Sequence, residues 1–312
     1  MNIIFFGSHN YSLYALEALK KAGHQILGIV TQPDKPVGRH QILTPTPIKS
    51  FAISHKIPFI TPKNKEELIE NFSTQFTLSS SKGSKTKIDI GVVCVYGLII
   101  QKEILDLPKF GCLNIHPSLL PKYRGTIPVP AAIIMGDIET GVTIIKMDEK
   151  MDHGPILAQE KETILETDTT EDLYNRLFKK GAELLTNVIK NNELRSMNYG
   201  KKQDDTKASY TKLLTRDDGF IDWKYIQAAL YGKNIDEKIK INFISDSQKC
   251  PVLLSVNCCL LNDLIRGLSP WPGCWSIYKN KRLKLLKSHI ENNRLVLDLV
   301  QFEGEKPITF SL

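Results

Sequence analysis

Apolar positions along this chain come in two spacings. Asn2–Phe6, Ile26–Val30 and Asp89–Val95 are short, dense apolar runs. Runs with so little polar interruption predict strands covered on both faces. Elsewhere the spacing is helical: Leu13, Leu16, Ala18 and Leu19 predict a helix that Ser8 or Asn10 caps and Gly23 ends. Strand, helix and strand within about 30 residues make a β-α-β unit, normally right-handed and parallel. The pattern continues with helices over Ile48–His55 and Lys65–Phe72, an extended Pro58–Ile60, and a short helix over Val129–Met135. Gly141–Met147, rich in β-branched residues, predicts a further strand, and Gly154-Pro155 opens another. Thr169 or Thr170 then caps a long helix with the stripe Leu173, Leu177, Leu184, Leu185 and Val188.

After a polar stretch from Asn191 to Tyr210 the pattern changes. Ile239–Phe243, Val252–Val256, Trp275–Tyr278, Leu283–Leu286 and Leu295–Val300 predict several short strands, which suggests a compact, OB-like barrel. The expected fold class is therefore α/β: a doubly wound, mostly parallel sheet with a small C-terminal β-barrel domain. The expected organisation is a catalytic domain over 1–190, a linker over 191–210 and a barrel domain over 211–312. Thr31–Lys49 is a long proline-rich excursion, and Ser73–Lys87 reads as a flexible insertion.

Composition narrows the function classes. A hydrophobic content of 42% and a charged content of 24% exclude wholesale disorder. No basic region precedes the first apolar run, and no apolar stretch reaches spanning length. The expectation is a cytoplasmic protein with no membrane partner. Six cysteines without a Cys-x-x-Cys pair predict free thiols rather than a metal or disulfide framework. The net charge of +7 is uneven: residues 201–312 contribute +5, from 18 Lys+Arg against 13 Asp+Glu. That bias suits a polyanion partner or simply a soluble surface. Lys279, Lys281, Arg282, Lys284 and Lys287 form one basic stripe beside Trp275 and Tyr278, either a phosphate-contacting surface or a lysine-guarded strand edge.

The candidate chemistry begins at Gly111–Gly125, where Leu113 and Ile115 alternate with Asn114 and His116 before a loop stiffened by Pro117 and Pro121. The alternation predicts a strand with one buried face and the polar pair on the other. No Gly-x-Gly-x-x-Gly follows the first strand, so a dinucleotide site is not indicated. Asp152 lies in a loop just before Gly154-Pro155. Asn114, His116 and Asp152 together suit acyl transfer without a covalent intermediate: two N–H donors for a developing oxyanion, and a carboxylate to orient the imidazole and relay a proton. No serine or cysteine stands in a nucleophile setting, Ser118 included, since Gly-x-Ser-x-Gly is absent. A cap on a turn, or a zinc site from His116, Asp152 and His153, are the alternatives for these residues.

Several motifs carry a resemblance. Thr31-Gln32-Pro33-Asp34 with Pro36-x-Gly38-Arg39, Tyr96-Gly97-Leu98-Ile99, and Asn114-Ile115-His116-Pro117-Ser118-Leu119-Leu120-Pro121 are three of them. Arg124-Gly125, Glu139-Thr140-Gly141-Val142-Thr143, Met147-Asp148 with Met151-Asp152-x-Gly154, Ile221-Asp222-Trp223 and Pro270-Trp271-Pro272-Gly273 are the others. On these the chain resembles the folate-dependent formyltransferases, and among them the methionyl-tRNA formyltransferase family, over nearly its whole length. The resemblance implies transfer of the formyl group of 10-formyltetrahydrofolate to the α-amino group of methionyl initiator tRNA in translation initiation, by a monomer without a metal. It carries the catalytic roles onto Asn114, His116 and Asp152. Folate contacts fall on Tyr96, Gly97, Leu98, Ile99, Ser118, Leu119, Leu120, Pro121 and Asp148. Contacts to tRNA fall on Arg39 in the Gln32–Lys49 loop and on Lys281, Arg282 and Lys284 in the small domain.

The chain departs from the family pattern at Gly7-Ser8-His9, at His40-Gln41 after Arg39, and in residues 73–87 and 231–262. Three other functions share parts of the signature: a formyltransferase for an amino sugar or other small amine, a formyltetrahydrofolate hydrolase, and an RNA-binding module on a degenerate transferase fold.

Overall fold

A computed structural model describes residues 1–38, 40–77, 87–191, 200–233, 235–245 and 251–310. The first half of the chain runs β1 (Asn2–Gly7), α1 (Tyr11–Lys21), β2 (Gln25–Val30), β3 (Lys35–Val37), β4 (Ile42–Thr44), α2 (Pro47–Ser54), β5 (Phe59–Ile60), α3 (Lys65–Phe72), β6 (Ile90–Cys94), α4 (Lys102–Leu105) and β7 (Cys112–His116). There follow β8 (Arg124–Gly125), α5 (Pro128–Ile134), β9 (Glu139–Lys146), β10 (Ile156–Thr163) and α6 (Thr170–Lys190). The remainder is β11 (Tyr210–Thr211), α7 (Trp223–Leu230), β12 (Lys238–Ser245), β13 (Pro251–Ser255), α8 (Cys258–Gly267), β14 (Cys274–Tyr278), β15 (Lys281–Glu291) and β16 (Arg294–Phe302).

The chain divides into two compact units. One comprises 1–117, 142–160 and 177–203; the other comprises 118–141, 161–176 and 204–312. The large sheet has the order β10-β9-β7-β6-β1-β2-β5. Strands β5, β2, β1, β6 and β7 run parallel, whereas β9 pairs antiparallel with β7. Order therefore reverses between β1 and β6, the switch point at which open α/β sheets place ligands beyond the strand ends. Ile3, Ile4, Phe5 and Phe6 are all fully buried, as a strand covered on both faces requires. Ile4 and Phe6 belong to the cluster that holds Leu68, Phe72, Val93, Tyr96 and Ile104.

The structure shifts several sequence expectations. The buried face of α1 is Ser12, Ala15, Leu16 and Leu19, with Leu13 and Ala18 flanking it, and Asn10 sits at the N-cap without a side-chain capping bond. Ser12 is buried because its hydroxyl donates to the Cys94 carbonyl at the end of β6, 2.6 Å away. In α6 Phe178, Ala182 and Ile189 join the buried stripe, and Leu184 lies at its edge. The expected insertion starts as a helical continuation: Phe76 packs on Phe72 with ring centroids 5.2 Å apart, and residues 78–86 lie outside the described set. The proline-rich excursion carries the β3–β4 hairpin, with Arg39 outside the described residues.

In the second unit β13-β12-β11-β8 form one sheet and β14-β15-β16 another, the latter antiparallel throughout. This is the small antiparallel β domain that the short apolar runs announce. Residues 231–262, hard to place from the sequence, hold β12, β13 and the start of α8, except 234 and 246–250, which lie outside the described residues. Arg124, 2% exposed, spends its charge on Asp205 at 2.8 Å and on the Tyr210 hydroxyl at 3.2 Å. A buried guanidinium is tolerated only with such partners.

Candidate active site

The site is built on β7 and the loop that precedes β10. Strand β7 lies inside the sheet, with Asn114 beside Val93 of β6 and Ile145 of β9, and His116 beside Thr143. The sequence alternation predicts a polar face on this strand. The structure covers it instead: His116 is 4% exposed and Asn114 is half-buried, with Asp152 reaching over both from the loop before β10. On its other face Ile115 meets α6 where Gly181 leaves room. The polar pair is thus fixed in a rigid strand rather than waving at a turn.

Asp152 joins that pair from the loop. Its Oδ1 accepts a hydrogen bond from Asn114 Nδ2 at 3.2 Å, and its Oδ2 lies 3.5 Å from His116 Nδ1. The carboxylate is itself only 13% exposed. Its backbone has φ +49°, a left-handed conformation that aspartate tolerates better than most residues and that recurs where geometry serves function. Asp148 accepts from the Lys150 amide at 2.9 Å and faces His153 Nδ1 at 2.6 Å. His153 therefore turns to Asp148, and among the described residues no group of three His, Cys, Asp or Glu is placed to hold a metal ion.

At the switch point, the turn after β6 is tied down from two directions. Ser8 Oγ and Gln32 Nε2 both donate to the Tyr96 carbonyl at 3.1 Å. Gly97 has φ +90°, a conformation that favours glycine, and a Cβ there would press on the Gln32 side-chain amide. Tyr96 packs edge-on to Phe6, and burial pushes its phenol well above the ordinary range. Its hydroxyl is buried without a hydrogen-bond partner among the described residues. Leu98 packs with Met147 against the core, and Ile99 is 75% exposed. Cys94 and Cys112 flank the site, but burial pushes each thiol up to about 12, which leaves neither as a ready nucleophile.

Of the other residues singled out from the sequence, Ser118 to Pro121 belong to the second unit. There Ser118 donates to the Lys122 carbonyl at 2.6 Å, Leu120 is buried, and the Leu120–Pro121 bond is cis. Lys281, Arg282 and Lys284 lie on β15 in the same unit. Lys281 faces Glu305 at 3.8 Å, and the Arg282 guanidinium lies 4.0 Å over the Trp275 ring. One residue near Asp152 escaped the sequence reading altogether: Gln203, from the polar stretch read as linker, donates to the carbonyls of Asp152 and Gly154 at 2.8 Å each. A lone glutamine in a polar segment carries no local signal of such a role.

Comparison with known proteins gives the family. Residues 1–189 match the family described as formyl transferase, and 255–299 match the formyl transferase C-terminal domain. A methionyl-tRNA formyltransferase of Chloroflexus aurantiacus is 36% identical over 290 residues, 93% of this chain and 80% of the relative. The Bacillus subtilis methionyl-tRNA formyltransferase is 34% identical over 286 residues, 92% of this chain and 77% of its own. Among solved structures, the sugar 3N-formyl transferase WlaRD, crystallised with dTDP and 5-N-formyl-THF, shares the fold. Its TM-score is 0.59 at 21% identity, covering 94% of this chain and 87% of its own.

Proposed function

The chain belongs to the formyl transferase family and, within it, to the methionyl-tRNA formyltransferases, and on that premise we propose that it formylates the α-amino group of methionyl initiator tRNA with 10-formyltetrahydrofolate as donor. The single observation that carries the chemistry is the Asp152 carboxylate, 3.2 Å from Asn114 Nδ2 and 3.5 Å from His116 Nδ1.

As the amine adds to the formyl carbon, negative charge grows on the formyl oxygen. Asn114 Nδ2 has a second hydrogen beyond the one given to Asp152, and it serves as one donor to that oxygen. With Nδ1 turned to Asp152, His116 offers Nε2 as the other. Donors fixed in a buried strand need no reorganisation as the charge develops, which is where such groups do most for rate. In this role the imidazole carries a proton on each ring nitrogen, Nδ1–H toward Asp152, and the carboxylate takes the proton that the attacking amine sheds. The new C–N bond forms first; as the tetrahedral adduct collapses, the bond from the formyl carbon to the folate nitrogen breaks, and that nitrogen leaves with the proton Asp152 took from the amine.

The donor fits the switch point. The turn from Tyr96 to Ile99 and the Asp148 loop flank the catalytic strand within one unit, and the buried Tyr96 hydroxyl lacks a protein partner among the described residues. Ser118 to Pro121 continue the family's folate motif. Contacts to tRNA are assigned to Arg39 and to the β15 stripe of Lys281, Arg282 and Lys284. The reading carries with it a cytoplasmic, monomeric enzyme.

Purified protein, formyl donor and charged initiator tRNA form the test, with amino-sugar nucleotides and water as competing acceptors. The expected result is formyl-methionyl-tRNA with negligible sugar formylation and little free formate. Preferential sugar formylation, or formate release without acceptor, would reassign the enzyme.

A further inference from the structure

We propose that Gln203 is a positioning residue that holds Asp152 against Asn114 and His116. The inference rests on the catalytic reading of those three side chains.

Gln203 is 5% exposed, and its side-chain nitrogen donates to the carbonyls of Asp152 and Gly154, both at 2.8 Å. One amide group therefore spends its two hydrogens on carbonyls that bracket His153. The loop between them is under competing demands. Asp152 sits at φ +49°, His153 is drawn toward Asp148, and Gly154 lies so close to the Lys146 carbonyl that no Cβ fits. The carboxylate of Asp152 reaches Asn114 and His116 while its own carbonyl is held by Gln203. Side chain and backbone of one residue are thus gripped from two sides, which sets the direction of the carboxylate.

The grip itself is anchored. Ile156 and Lys201 exchange N–H···O bonds of 2.8 and 2.7 Å, so the chain is fixed to the start of β10 two residues before the glutamine. Without the amide donors, Asp152 is free to relax from its left-handed conformation, and its carboxylate turns with it. A catalytic group displaced by about 1 Å costs as much as 10²-fold in rate. Ground-state binding of either substrate does not depend on that displacement.

Two variants test this. Gln203→Met keeps the volume and removes both donors; Gln203→Asn keeps the amide on a stem too short to reach both carbonyls. The expected result for Gln203→Met is a fall in kcat of about 10- to 100-fold, with KM for donor and tRNA within about twofold of wild type. Gln203→Asn falls between it and wild type. In crystals of either variant the Asp152–His116 separation grows beyond 3.5 Å. Wild-type kcat in Gln203→Met, or in Gln203→Asn should the first not fold, overturns the proposal, as does an unchanged separation. A rise in KM that accounts for the whole loss also overturns it. If wild-type protein formylates nothing, the functional reading falls, and the crystallographic separation still judges Gln203.

Discussion

Asp152 is the residue on which charge and conformation meet, and the two separate by experiment. Asparagine tolerates φ near +49° as well as aspartate does, so Asp152→Asn keeps the loop and removes only the negative charge. Loss of an orienting and proton-accepting group should lower kcat by at least about 10²-fold. Binding of tRNA and the melting temperature should stay near wild type. Rapid-quench measurement of a single turnover is the check, and near-normal turnover would remove the carboxylate from the mechanism. At this scale the meeting of Asn114, His116 and Asp152 is legible in the sequence, through Asn-x-His on an apolar strand, an Asp shortly before Gly-Pro, and the family motifs that contain them. Gln203 is not legible: both of its bonds go to carbonyls about 50 residues away, and nothing near it in the chain betrays them.

At the scale of elements, helices α1, α3 and α6 and strands β1, β2, β6 and β7 follow from apolar spacing, since burial enforces the period. Which face of a helix is buried depends on tertiary partners, hence the rotation of α1 toward Ser12. Gly181 shows the same dependence. Mid-helix it sacrifices about 1 kcal/mol of helix propensity relative to alanine. A Cβ there would lie 2.7 Å from Ile115 Cγ2 and 2.9 Å from Val142 Cγ2. Gly181→Ala should therefore destabilise by about 1–3 kcal/mol despite the better propensity. It should also lower kcat, because Ile115 lies between Asn114 and His116 on β7. A raised melting temperature would show that the strand yields at no cost. The start of α6 carries a capping box: Asp172 accepts from the Thr169 hydroxyl at 2.6 Å and its amide at 3.0 Å, and these bonds hold its carboxyl below the usual range. A depressed folded pKa stabilises above the unfolded value and is lost as pH falls through the folded one. Asp172→Asn should cost about 0.3–1 kcal/mol at neutral pH. The difference from wild type should close as acid protonates Asp172, as paired urea titrations across pH would record. A gap that persists in acid would assign the effect to shape rather than charge.

Over the whole molecule, charge is the feature that bears on a tRNA acceptor. Sheet order and catalytic strand suit any formyl transfer, but the net of +7, of which +5 falls in residues 201–312, suits a polyanion. The basic stripe on β15 is not uniform, a feature that one-letter composition hides. Lys281 has Glu305 at 3.8 Å, Lys284 is exposed, and Arg282 lies over Trp275 with its Nε buried and unpartnered among the described residues. Replacing all three by alanine removes the proposed phosphate contacts and, through Arg282, packing on Trp275. Affinity alone would mix the two losses. The slope of log affinity against log salt counts phosphates only, because it reflects released counterions. The triple variant should flatten that slope by about two to three. Arg282→Ala alone should weaken binding with a slope change of at most about one. A triple variant with the wild-type slope would move the tRNA surface off β15, while leaving formyl transfer by the large sheet untouched.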